Sequence, residues 1–155
     1  MKRIWAPWRS QFIYKRKKDG CIFCQALKST ADKKHYVIRK NKFSFAMLNI
    51  YPYNNGHIMV APNRHRKSLT LLKDTELADM MSLVNEMTEL LDKILKPEGY
   101  NIGANIGKVA GAGFPGHVHI HIVPRWNGDT NFSPVISHTK IISESLDSLY
   151  KRLTK

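Results

Sequence analysis

The segment His117-Val118-His119-Ile120-His121-Ile122-Val123 sets three imidazoles in strict alternation with aliphatic side chains. Period-two alternation predicts a strand, whose successive side chains point to opposite faces. His117, His119 and His121 would share one face, with Val118, Ile120 and Ile122 turned to a core. A lone histidine on a strand reads as a polar surface residue. Three of the chain's seven histidines in one row point to chemistry. Imidazoles can hold zinc, copper or iron. They can also act as nucleophile, acid or base near neutral pH. A glycine-rich run with Gly107, Gly111, Gly113 and Gly116 precedes the row. Glycines of this kind let backbone N–H groups approach an oxyanion closely. A phosphate held beside a neutral imidazole is a site for nucleophilic substitution.

A second group lies far away in sequence. Cys21 and Cys24 form a C-x-x-C pair and are the chain's two cysteines. Such a pair is half of a zinc site. One pair suits a cytoplasmic metal or redox site better than a disulfide scaffold. A thioredoxin-like role is disfavoured, because no βαβ pattern follows.

The elements that must position these groups follow from periodicity and breakers. Residues 1–20 mix aromatics and bases around Pro7 and read as an extended arm. Cys21–Cys24 reads as a tight knuckle, and Gln25–Lys34 as a short helix or loop. His35–Arg39, Lys42–Leu48 and His57–Ala61 read as strands, with a loop from Tyr51 to Gly56. Thr75–Leu95 carries an apolar stripe of Leu77, Met80, Met81, Val84, Met87, Leu91, Ile94 and Leu95, which predicts one long helix. Asp74 is its expected N-cap, with Pro97 and Gly99 ending it. Tyr100–Ile106 and the histidine row are the fourth and fifth strands. Residues 125–155 form a C-terminal extension closed by a short helix over Ser143–Leu153. The whole of 1–155 reads as a single α+β domain, a five-stranded antiparallel sheet with one long and one or two short helices.

Composition bounds the partners. The net charge is +13, and residues 1–40 hold 12 Lys or Arg against 2 Asp or Glu. Such a field attracts polyanions such as nucleotides or nucleic acid. The run Lys15-Arg16-Lys17-Lys18 reads equally as a solvated arm. No apolar run approaches a membrane span and no secretory leader is legible, so the expected location is the cytoplasm.

The row from 117 to 123 resembles the signature of the histidine-triad family of nucleotide hydrolases and transferases, His-φ-His-φ-His-φ-φ with φ apolar, at every position. The resemblance spans roughly residues 20–140. Trp5-Ala6-Pro7-Trp8-Arg9, Pro124 to Phe132, and Thr139-Lys140 resemble the microbial branch that contains diadenosine tetraphosphate phosphorylases. The resemblance implies a histidine-triad fold, a homodimer or larger assembly, and cleavage of dinucleoside polyphosphates at the α-phosphate. His119 would be the nucleophile that becomes nucleotidylated, with release by phosphate or water. His121 would serve a phosphate oxygen or the leaving group, and His57 would support the triad. Asn49 would meet the ribose. Asn105 would meet phosphate, although the loop before His117 is one residue longer than the family's. That loop lacks the family's Gln or Ser, so backbone N–H groups at Gly113 and Gly116 are expected to replace the side chain. The resemblance also implies a structural zinc on Cys21, Cys24, His65 and His117, and no catalytic cofactor.

Three alternatives stand beside this reading, two of them related enzymes and the third of another class. A nucleoside phosphoramidate hydrolase would use the same site. A DNA-end deadenylating enzyme suits the charge, but no DNA-binding finger follows residue 124. A basic nucleotide- or nucleic-acid-binding module with a vestigial site conflicts with an intact row.

Overall fold

The structure is a computed structural model that describes residues 20–130 and 140–155. The predicted arm of residues 1–20 therefore lies, but for Gly20, outside the described residues. So does the part of the C-terminal extension from 131 to 139, including Phe132 and Thr139.

In chain order the elements are α1 (Ile22–Lys28), α2 (Asp32–His35), β1 (Val37–Lys40), β2 (Ser44–Leu48), β3 (Ile58–Pro62), α3 (Asp74–Leu95), β4 (Gly99–Gly103), β5 (Ile120–Arg125) and α4 (Leu146–Leu153). The five strands form one sheet in the order β1-β2-β3-β5-β4. Every neighbouring pair is antiparallel. The expected α+β architecture is present. Among the described residues three short α-helices and a 3-10 turn at Leu69–Leu71 accompany the long helix, because the cysteine knuckle opens a helix and Asp32–His35 forms another.

The centre of the sheet is covered on both faces, so β2 and β3 are buried along their whole length, while the edge strand β4 is largely exposed. One face carries Ala46, Leu48, Ile58, Val60, Ile120 and Ile122. Against it pack Met80, Leu83, Val84, Met87 and Leu91 of α3, with Leu149 and Leu153 of α4. Each fully buried side chain of this size stabilises the fold by roughly 1.5–3 kcal/mol. The predicted stripe needs one correction: Met81 is 50% exposed, and Leu83 is buried in its place. Leu83 stands three residues after Met80 and four before Met87, on the buried side, whereas Met81 is turned about 100° away from Met80. Asp74 is the first helical residue and not the cap. Glu76 instead reaches back to accept the Lys73 N–H at 2.8 Å. Lys96 ends the helix in a left-handed conformation just before Pro97.

The opposite face carries Phe45, Met47, Met59 and Ala61, packed by Phe23 and Ala26 of α1. His121 pairs with Met59 and shares this face. The ladder begins at Ile120 and not at His117. Opposite the missing rungs stands Pro62, which has no N–H to give. Its carbonyl instead accepts from the His117 ring at 2.8 Å, and the Val118 N–H goes to the Arg66 carbonyl.

Candidate active site and metal centre

His117, His119 and His121 are buried, at 0%, 4% and 9% exposure, on the face away from α3. Phe23 of α1 lies over two of them, with ring centroids 4.7 Å from His119 and 5.1 Å from His117. The hydrogen bonds around the four central imidazoles fix where each proton sits.

The His57 Nδ1 accepts the backbone N–H of Tyr53 at 3.1 Å. The Asn49 amide nitrogen lies 3.3 Å from the same atom. A backbone N–H can only donate, so Nδ1 carries no proton. Neutral His57 therefore carries it on Nε2, which lies 2.9 Å from the His121 Nδ1. That atom must accept, and neutral His121 keeps its proton on Nε2. His119 has the opposite tautomer. Its Nδ1 lies 2.8 Å from the His117 carbonyl oxygen, to which it donates. The His119 Nε2 thus bears a free lone pair. The segment entering β5 presents a free imidazole lone pair at His119 and, two residues on, an N–H donor at His121.

Burial keeps these rings neutral. It lowers His57 to about 3 and His121 to about 4, with repulsion from neighbouring imidazoles adding to the effect. Burial also lowers His119, partly opposed by its bond to the His117 carbonyl.

His117 faces a different partner. Its Nε2 donates to Pro62, so its Nδ1 is free to coordinate. That nitrogen lies 3.3 Å from the Cys21 Sγ and 3.7 Å from the Cys24 Sγ. The Cys24 Sγ lies 3.3 Å from the His65 Nδ1. All four ligand atoms fall within 4.8 Å of one another, and this cluster could hold a metal ion. A tetrahedral ion with bonds of about 2.0–2.3 Å sets its ligands roughly 3.3–3.8 Å apart. Burial pushes the Cys21 thiol up to about 11, so a cation is what would draw off its proton. Local structure builds the site. Cys21 caps α1, Cys24 follows one turn later, and Arg64 beside His65 is clamped on Glu76 at 2.5 and 2.6 Å.

The remaining predicted residues sit as follows. Asn49 is buried beside His57, and its side-chain oxygen accepts the Tyr51 N–H at 2.9 Å. Asn105 lies in the glycine loop, its amide 3.5 Å from the Gly111 carbonyl. Gly116 borders the cysteine–histidine cluster, since a Cβ there would stand 3.5 Å from the His65 Nε2. Gly113 faces open space. The loop glycines with left-handed backbone are Gly107 and Gly111, at φ +89° and +87°.

Sequence reasoning missed Phe23, Tyr53, Asn54 and Asp129. Phe23 reads as filler between two cysteines, yet one helical turn carries it onto the histidine face. Tyr53 acts through its backbone, which no side-chain pattern reveals.

The HIT domain family model matches residues 30–128. A Mycobacterium tuberculosis protein named AP-4-A phosphorylase is 33% identical over 154 residues, covering 94% of this chain and 79% of that protein. The Schizosaccharomyces pombe adenosine 5'-monophosphoramidase is 36% identical over 108 residues, covering 70% of this chain and 76% of that protein. Among solved structures, a zinc-bound histidine triad family protein from Mycobacterium smegmatis superposes with a TM-score of 0.69 at 26% identity, covering 87% of this chain and 91% of that one. Among the described residues, no helix is long and apolar enough to cross a membrane.

Proposed function

The chain belongs to the HIT domain family, and from that premise we propose that it is a nucleotidyl hydrolase or transferase acting on dinucleoside polyphosphates. The observation that carries this reading is the opposed pair of tautomers at His119 and His121. The His119 Nε2 lone pair attacks the α-phosphorus, a P–N bond forms, and the P–O bond to the departing polyphosphate breaks. The His121 Nε2–H gives its hydrogen bond, or its proton, to an oxygen of the group that leaves. His119 keeps its Nδ1–H throughout. The cationic nucleotidyl-imidazole is then stabilised by the His117 carbonyl. Phosphate or water attacks next, the P–N bond breaks, and neutral His119 returns. Orthophosphate yields a nucleoside diphosphate, and water a monophosphate.

Asn49, beside His57, serves as the ribose contact in this reading. Asn105 and the backbone at Gly113 and Gly116 serve the phosphates. No catalytic cofactor is required. Cys21, Cys24, His65 and His117 hold a structural zinc, whose role is to lock α1 and the His65 segment onto the triad. The similarity to a protein named AP-4-A phosphorylase supports an adenine dinucleotide as substrate. The reading also includes one domain over 1–155, assembly as a homodimer or larger homo-oligomer, and a cytoplasmic location. Nucleic acid is not the favoured partner.

The test is incubation with diadenosine tetraphosphate, with and without orthophosphate, and identification of the products. ADP formed only with phosphate assigns phosphorolysis, and AMP formed regardless assigns hydrolysis. Absence of turnover overturns the reading for this substrate. The similarity to a monophosphoramidase favours one second reading, a nucleoside phosphoramidate hydrolase. Faster turnover of adenosine 5'-phosphoramidate than of the dinucleotide would select it.

A further inference from the structure

The tautomer chain depends on the donors at the His57 Nδ1, of which the Tyr53 N–H at 3.1 Å is closer than the Asn49 amide at 3.3 Å, and Tyr53 sits in a loop without regular structure. What holds the loop is a buried polar hub at the far end of β5. The Asn54 side chain is 8% exposed. Its amide donates to the Pro124 carbonyl at 3.0 Å and to the Asp129 Oδ2 at 2.8 Å. The Asp129 carboxylate is 6% exposed. It accepts from the Arg125 Nε at 2.6 Å and from a second guanidinium nitrogen at 3.0 Å. It also accepts from the Trp126 N–H at 3.2 Å and the Thr130 hydroxyl at 3.1 Å. Lys140 lies 3.9 Å from its Oδ1 and donates to the Asp129 backbone carbonyl. A cavity of about 340 Å³ is bordered by Tyr53, Arg125 and Lys140. Both of those cations turn onto Asp129, so the cavity edge is braced from within.

We infer that Asp129 and Asn54 are positioning residues that set the proton of His121. Asp129 orients the Asn54 amide, Asn54 holds residue 53 against His57, and the Tyr53 N–H keeps the proton off the His57 Nδ1. His57 must then donate to His121, whose own proton is forced outward onto Nε2. Without the Tyr53 donor, only the longer contact to the Asn49 amide opposes a proton on the His57 Nδ1, and a small rotation of that amide lets His57 carry its proton there and present Nε2 as an acceptor. His121 can then turn its proton inward, leaving no donor beside the His119 lone pair. Asn54 and Asp129 touch no reacting atom. Their effect is on which nitrogen of His121 is protonated, and that effect rests on the proposed function only for its catalytic meaning.

The test is long-range ¹H–¹⁵N NMR of the imidazoles at neutral pH, on the full chain loaded with zinc and without substrate. In wild type, His57 and His121 should both show the Nε2–H tautomer, and His119 the Nδ1–H tautomer. Asn54→Ala and Asp129→Ala should raise the Nδ1–H form of His57 and His121 from undetectable to at least a tenth, with His119 unchanged. Asp129→Asn can keep an oxygen towards Asn54, and should retain the wild-type tautomers while lowering Tm. Folded Asn54→Ala protein with wild-type tautomers at both rings would overturn the inference, leaving the hub a purely structural brace. Should Asp129→Ala not fold, Asn54→Ala decides alone, since it leaves the Arg125–Asp129 pair intact. The readout needs no turnover, so it can fail while the proposed activity stands, and the reverse.

Discussion

His119 donates its Nδ1 proton to the backbone carbonyl of His117, 2.8 Å away. The ring of the same His117 turns its own free nitrogen to the two cysteines. One residue thus joins the cluster of metal-ligand type to the His119 ring, with its own ring on one side and its carbonyl on the other.

The pH profile follows from burial. His57 and His121 are held neutral, with His57 lowered to about 3 and His121 to about 4 from an ordinary 6.5. A base whose folded-state pKa is lowered binds protons more readily in the unfolded chain. Stability is therefore full above pH 6.5 and falls as pH drops from there towards about 4. The acid limb of kcat/KM should lie well below 6.5, where an unperturbed histidine would put it. Half-maximal activity near pH 6.5 would contradict the buried, neutral pair.

Metal content should be about one zinc per chain, measured by elemental analysis of purified protein. Cys24→Ser should lose the metal and lower Tm, while leaving more activity than His119→Ala, because the nucleophile itself is untouched. Wild-type protein that binds no zinc, even when refolded with it, would remove the metal from the account.

Phe23→Ala should destabilise the fold by about 3–5 kcal/mol, the usual cost of truncating a fully buried aromatic, measured by urea denaturation. The ring has 0% exposure and covers both His117 and His119. Opening that face to water should raise the His119 pKa towards its ordinary value, visible as a histidine titration by NMR. A cost below about 1 kcal/mol would mean that the ring is not part of the core.

Gly56→Ala tests the loop from its other side. Gly56 has φ +78°, and a Cβ there would stand 2.6 Å from the Leu95 Cδ1 and 3.0 Å from the Pro124 Cγ. The Leu95 tip can move, but the backbone angle and the proline cannot easily adapt. A loss of about 1–3 kcal/mol is expected on denaturation, and an unchanged stability would show that the loop can shift.

The candidate residues set by side chains in regular spacing were legible in the sequence. His117, His119 and His121 show their shared face by alternation alone, and the long helix shows itself by its apolar period. The ligand set of Cys21, Cys24, His65 and His117 followed from resemblance, and the structure brings those four together. The roles that depend on backbone groups were hidden. Nothing in the identity of Tyr53 announces that its N–H fixes the proton of His57. Asp129 reads as a turn residue in Asn127-Gly128-Asp129, and only the fold brings Asn54 to it across 75 residues. The ladder's late start at Ile120 was hidden for the same reason, since it depends on Pro62 lying opposite.

In the proposed reaction the His119 Nε2 is the nucleophile. The direct measurement is acid-free quenching of the protein with diadenosine tetraphosphate in the absence of added phosphate, followed by peptide mass spectrometry under conditions that preserve a P–N bond. An adenylyl adduct is expected on the peptide containing His119, lost in His119→Ala together with turnover, by a factor on the order of 10³ or more. An adduct that survives His119→Ala, or one carried by His57 or His121 in wild type, would contradict it.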